Sequence, residues 1–159
     1  MSWTPIHDAH SIERVRIIVR FTDPIPPKLI SGLADALEPQ KSQWGFGPRK
    51  GRQSAELTIH ISGGTLKSGT QGGENGWIFT RNVGPNEIIE LLSLEPTQLI
   101  YEIAEYKRWD DFMQRFVPLM DVLSAKIESA VDIESLSLEY FDRFTEPSDV
   151  VATKVSEVI

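Results

Sequence analysis

The feature that most constrains this chain is the spacing of its apolar residues, which switches between two periods that no single element can satisfy. Over 13–21, ERVRIIVRF, the residues Val15, Ile17, Val19 and Phe21 alternate with Arg14, Arg16, Ile18 and Arg20. That predicts a half-buried strand with a basic outer face. The same alternation recurs at Leu57, Ile59 and Ile61 within 54–62, at Leu99, Tyr101 and Ile103, and at Leu136, Leu138, Tyr140 and Phe144. Helical spacing appears twice, in Leu29, Ile30, Leu33, Ala34 and Leu37, and in Trp109, Phe112, Met113, Phe116, Met120, Leu123 and Ile127.

Breakers divide these segments. The run DPIPP at 23–27 ends the first strand, and its prolines can open a helix because the first helical N–H has no partner to lose. Pro118 falls inside the long helical pattern and predicts a kink there. Residues 87–94, EIIELLSL, flanked by Pro85 and Pro96, read as a strand, as do Trp77, Ile78 and Phe79. Residues 40–53 read as an exposed loop. The Gly-, Ser- and Thr-rich stretch 63–76 reads as a long, mobile hairpin connection.

The resulting order, β-α-β-β-β-β-α-β, predicts an α+β domain. Its mostly antiparallel sheet has about five or six strands, both helices pack on one face, and the other face is polar. The 159 residues suit one domain over 13–146, with an arm at 1–12 and a tail at 147–159 that reads as the start of a further segment. The chain has no cysteine, which excludes disulfides, thiolate metal sites and cysteine nucleophiles and points to a reducing, cytoplasmic location. No apolar run approaches the ~20 residues of a membrane helix, so no membrane partner is expected.

The net charge of -7 is uneven. Residues 1–80 carry nine basic against seven acidic side chains, and residues 81–159 seven against sixteen. That balance argues against wrapping a long nucleic acid and suits a protein partner.

Two segments carry a family likeness: Tyr106-Lys107-Arg108-Trp109-Asp110-Asp111-Phe112, opening the long helix, and Leu136-Ser137-Leu138-Glu139-Tyr140-Phe141-Asp142-Arg143-Phe144. The chain resembles an uncharacterised family of sporadically distributed bacterial and archaeal proteins that share a Tyr-x-x-Trp-x-x-Phe helix start and a Leu-Arg-Tyr-Ile-Asn-Arg strand. Glu139 stands for the usual Arg and Asp142 for the usual Asn. The resemblance implies a prokaryotic protein and a chain corresponding to the family's N-terminal part, and it implies no activity.

No catalytic, phosphate-cradle or zinc motif is present, so no cofactor, metal or catalytic residue is expected. His7-Asp8-Ala9-His10 is the nearest approach to a metal cluster and reads as a surface segment. Asp110 and Asp111 suit the first turn of a helix through its dipole. Asp142, by alternation, shares a face with Leu138, Tyr140 and Phe144, where a carboxylate needs partners. Arg14, Arg16, Arg20, His60, Glu139 and Arg143 gather on the polar sheet face if their strands are neighbours.

Three functions follow from these groups. The first is a binding or assembly module that meets a protein partner or a second copy, as a homo-oligomer, through the polar face. The second is an enzyme or small-anion receptor on the same face, with Arg16, Arg20 and Arg143 clamping an anion and His60 or Glu139 moving protons. The third is weak single-stranded nucleic-acid binding by the loop holding Lys41, Trp44, Phe46, Arg49, Lys50 and Arg52, which interleaves cations with aromatics.

Overall fold

A computed structural model describes residues 4–5, 11–62, 65–84 and 87–145. The chain runs through β1 (Thr4–Pro5), β2 (Ile12–Phe21), α1 (Pro27–Leu37), a 3₁₀ helix (Glu38–Trp44), β3 (Lys50–Ser62), β4 (Thr65–Asn82), β5 (Ile88–Leu94), β6 (Gln98–Ile103), α2 (Trp109–Glu128), β7 (Ile133–Asp142) and β8 (Phe144–Thr145). Six strands form one sheet in the order β3-β4-β5-β6-β2-β7, with every neighbouring pair antiparallel. β1 and β8 make a separate two-residue antiparallel pair. The α+β class and the element order match the periodicity of the sequence.

Register explains the core. Val15, Ile17 and Val19 lie opposite Ile103, Tyr101 and Leu99 of β6, and Leu92 and Leu94 of β5 lie opposite Tyr101 and Leu99 in turn. These residues share one face and pack with Ile30, Leu33 and Leu37 of α1 and with Phe112, Phe116, Leu119 and Leu123 of α2 in one buried cluster. α2 sits over β6, where the Tyr101 ring lies 5.5 Å from Phe112 and 5.6 Å from Phe116. α1 reaches β4, with Trp77 Nε1 donating to Ser31 Oγ at 3.4 Å. Adjacent strands are ~4.8 Å apart and a helix is ~10 Å wide. Two helices over β4 to β6 therefore leave β7, two strands beyond β6, with little cover.

Two expectations change. The glycine-rich stretch expected as a loop is strand, since β4 begins at Thr65 and pairs with β3 from Ser62 opposite Thr65 to Lys50 opposite Ile78. Small residues that supply no apolar pattern still form a ladder when a hairpin brings a partner alongside, because main-chain groups make the bonds. Second, 40–53 is not an exposed loop. Pro39, which lacks an N–H, turns the end of α1 into a 3₁₀ helix, and β3 starts by Lys50. Pro118 lies within α2, which continues to Glu128.

The 3₁₀ helix stops at Gly45, whose φ of +70° is the left-handed conformation that favours glycine. Its N–H reaches Ser42 O at 3.1 Å, and Phe46 N reaches Lys41 O at 3.0 Å. That turn directs Trp44 and Phe46 into the core, with ring centroids 6.4 Å apart.

Candidate functional site

The polar sheet face does gather arginines, and they are held by partners within the chain. Arg14 Nη1 donates to Glu102 Oε1 at 3.1 Å and Arg16 Nε to Glu102 Oε2 at 2.5 Å. Arg16 Nη1 reaches Glu139 at 3.3 Å, Arg20 Nη1 reaches Ser137 Oγ at 3.2 Å, and both Arg14 and Arg16 lie over the Phe141 ring. Arg143 pairs with Glu13 at 2.8 Å. A recess of about 230 Å³ on this side is lined by Arg14 and Glu102 but not by Arg16, Arg20, Glu139 or Arg143.

His60 does not join the arginines. It lies opposite Lys67 in β3, and β4, β5 and β6 separate β3 from β2. Four strand spacings put it roughly 19 Å away, too far for His60 and Arg16 to act on one small anion. The surroundings of its side chain, like His7, Asp8 and His10, lie outside the described residues.

Asp142 corrects the expectation of a carboxylate on a covered face: it is exposed, opposite Ile12, at a bulge where the β2–β7 register shifts. Solvent there removes the need for a buried partner. In the 41–52 segment the aromatics are unavailable for base stacking, because Trp44 and Phe46 are 6% and 5% exposed. Three of the four cations are engaged as well. Lys41 pairs with Glu38, Arg49 with Asp35 at 2.6 Å, and Arg52 with Glu95, while Arg49 also covers the Trp77 ring and the backbone of Lys50 opens β3.

Two features were missed by sequence reasoning. The first is a buried ionic cluster beneath α2. Glu90, flanked by Ile88, Ile89, Leu91 and Leu92 in β5, has a fully buried side chain. Its Oε1 accepts from Tyr101 Oη at 2.6 Å and from Arg115 Nε at 3.0 Å, and its Oε2 accepts from Arg115 Nη2 at 2.6 Å and Arg81 Nε at 2.7 Å. Arg115 Nη2 also donates to Trp44 O at 2.7 Å. Gly45 makes room for this arrangement, because a Cβ there would sit 2.9 Å from Arg81 Cδ. Burial, then the Glu90 carboxylate, pushes the Tyr101 phenol far above its ordinary range. Burial opposes the Arg115 charge, but its hydrogen bonds and Coulomb attraction to Glu90 outweigh that and raise its pKa. The signal in the sequence was the glutamate between two apolar pairs in IIELL, an expensive position unless cations reach it.

The second feature is β7. It pairs with β2 on one side, and among the described residues no strand pairs with its other side. Leu136, Leu138 and Tyr140 point to the helix side, opposite Val19, Ile17 and Val15, yet are 65%, 40% and 45% exposed. Tyr140 meets Tyr106 edge-on at 5.9 Å. Burial, then Tyr140, Asp110 and Asp111, raises the pKa of the Tyr106 phenol.

No family model, curated protein or solved structure matches the chain. Among the described residues, no three His, Asp or Glu side chains converge as a metal would need. No helix there is long and apolar enough to cross a membrane.

Proposed function

We propose that this chain is an assembly module that pairs with a second copy of itself through the outer edge of β7. The observation that carries this reading is the apolar stripe Leu136, Leu138 and Tyr140, left uncovered on an edge strand of ten residues. Edge strands are templates for another strand, and proteins that keep them single blunt them with charged side chains, lysine above all, with proline, with bulges or with a very short length. IESLSLEYFD has neither lysine nor proline. The salt-bridged arginines of the polar face favour this edge over that face as the contact, since parting them to admit a partner would cost ion pairs already made.

Charge along β7 is compatible with a second copy as the occupant. Two antiparallel β7 strands related by a two-fold axis meet in a register set by their centre. Centred on Ser137, Leu136 faces Leu138 of the second copy, Ser135 faces Glu139 and Glu134 faces Tyr140, and the one like-charge pair, Asp142 with Asp132, falls at the very end of the strand. Centring on Leu138 would set Glu134 against Asp142, and centring on Glu139 would set that carboxylate against itself, each a destabilising pair. The Ser137 register joins the two sheets into one and brings four leucines together on the helix side.

Light scattering on the purified chain at about 100 μM tests the reading. The expected result is a dimer that Leu136→Lys, a solvent-facing change, converts to a monomer with an unchanged circular dichroism spectrum. A wild-type monomer at that concentration overturns it.

A further inference from the structure

We propose that the cleft at the start of α2 is a binding site for a small organic anion, an oxyanion head carried on an apolar or aromatic body. The cleft, about 290 Å³, lies between the end of β4, the end of β6 and the first two turns of α2. Four cations line it, Arg81, Lys107, Arg108 and Arg115, against two carboxylates, Glu105 and Asp111. In a chain of net charge -7, such a concentration of positive charge in a concavity is a local exception.

The fixed charges leave a cationic excess in its wall. Glu90 neutralises one positive charge but holds two guanidiniums, Arg81 and Arg115. Arg81 spends only Nε on that contact, and its two terminal nitrogens make no hydrogen bond among the described residues. Arg108 makes no ion pair among the described residues, although it stands beside the carboxylate-bearing first turn of α2. Guanidinium groups are the donors suited to the two-oxygen edge of a phosphate or carboxylate. Because Arg115 and Arg81 are anchored from behind by Glu90, they hold position without a ligand, so little ordering remains to oppose binding.

The remaining wall sets the ligand class. Ile103, Tyr106 and Phe112 supply an apolar side to the same cleft, and the volume is at the small end of ligand sites. An inorganic ion would leave that wall unused, and a nucleotide would overfill the space. A monocyclic phosphate monoester or carboxylate fits both halves.

Thermal unfolding with phenyl phosphate, benzoate and inorganic phosphate as probes tests this. The expected result is saturable stabilisation by phenyl phosphate or benzoate, with a midpoint rise of about 3–6 °C at ten times the Kd and a smaller rise with inorganic phosphate. Which of the two organic probes binds more tightly identifies the head group. Calorimetric titration of Arg108→Glu, an exposed residue outside the Glu90 cluster, should show binding weakened by about tenfold or more. The cleft lies within one copy, so Leu136→Lys should keep full affinity, which separates this site from self-association. No saturable shift with any probe, or equal affinity in Arg108→Glu, overturns the proposal.

Discussion

Glu90 and Glu102 each hold two arginines, on opposite faces of the same sheet, and only their surroundings differ. Glu102 takes Arg14 and Arg16 on the open face, where its side chain is 16% exposed and the arginines more so. Glu90, with no exposure of its own side chain, takes Arg81 and Arg115 under α2, each 31% exposed, and adds the Tyr101 hydroxyl as a fourth donor. Water screens the first cluster and competes for its hydrogen bonds, so its geometry is one of several that solvent permits. The second cluster has no such alternative, and each of its donors must remain in place or leave a buried charge alone. The same residue types therefore make a surface finish on one side and a structural pin on the other.

The sharpest way to break this comparison is Glu90→Gln. The amide keeps the shape but leaves two guanidiniums without their counter-charge, and loss of a partner from a buried ion pair costs about 3–5 kcal/mol. For a chain of this length that lowers the thermal midpoint by roughly 10 °C. Calorimetric unfolding checks it, and a loss under about 1 kcal/mol would place Glu90 in the same class as Glu102.

Tyr101→Phe removes only the hydroxyl and should cost about 1.5–3 kcal/mol, the range for a hydrogen bond to a charged group. It also carries a pH signature. The Tyr101 phenol titrates from an ordinary value of 10.0 when unfolded and higher when folded. The folded state thus keeps a proton that the unfolded state releases. The associated stability is complete below pH 10 and is lost as pH rises above it, by up to about 1.4 kcal/mol per pH unit. Urea unfolding between pH 9 and 11 should show that slope in the wild type and a shallower one in Tyr101→Phe, where the smaller upward shift of Tyr106 remains.

The contrast between the clusters also marks what the sequence could reveal. Period-two segments located β2, β6 and β7, and period-3.6 segments located both helices, because burial on one face imposes those periods directly. The arginines of β2 were legible as one face for the same reason. Their partner Glu102 was not, since it depends on β6 lying beside β2, a fact of strand order that no local pattern carries. Likewise 40–53 has the composition of an exposed loop, and only the turn at Gly45 shows that Phe46 enters the core together with Trp44. Arg81 and Arg115 lie in different elements from Glu90, so only the charge amid the apolar residues of IIELL hinted at the cluster. Leu136, Leu138 and Tyr140 were legible as an apolar face but not as an uncovered one, because helix placement across the sheet decides that.

The smallest expected effect completes the comparison. Glu102→Gln removes the shared carboxylate of the open face, yet Arg16 keeps Glu139 and both arginines keep the Phe141 ring. Solvent accepts the charges that Glu102 releases, so the loss should be about 1 kcal/mol or less. Because that remainder is a screened Coulomb term, raising the salt from 0.05 to 0.5 M, concentrations at which the Debye length shrinks from roughly 14 to 4 Å, should narrow the gap between wild type and variant. The Glu90→Gln gap should move less under the same change, since the Glu90 carboxylate itself is fully buried. Equal salt sensitivity in the two variants would show that solvent reaches Glu90, and the distinction between the two clusters would then lie in hydrogen-bond count and not in burial.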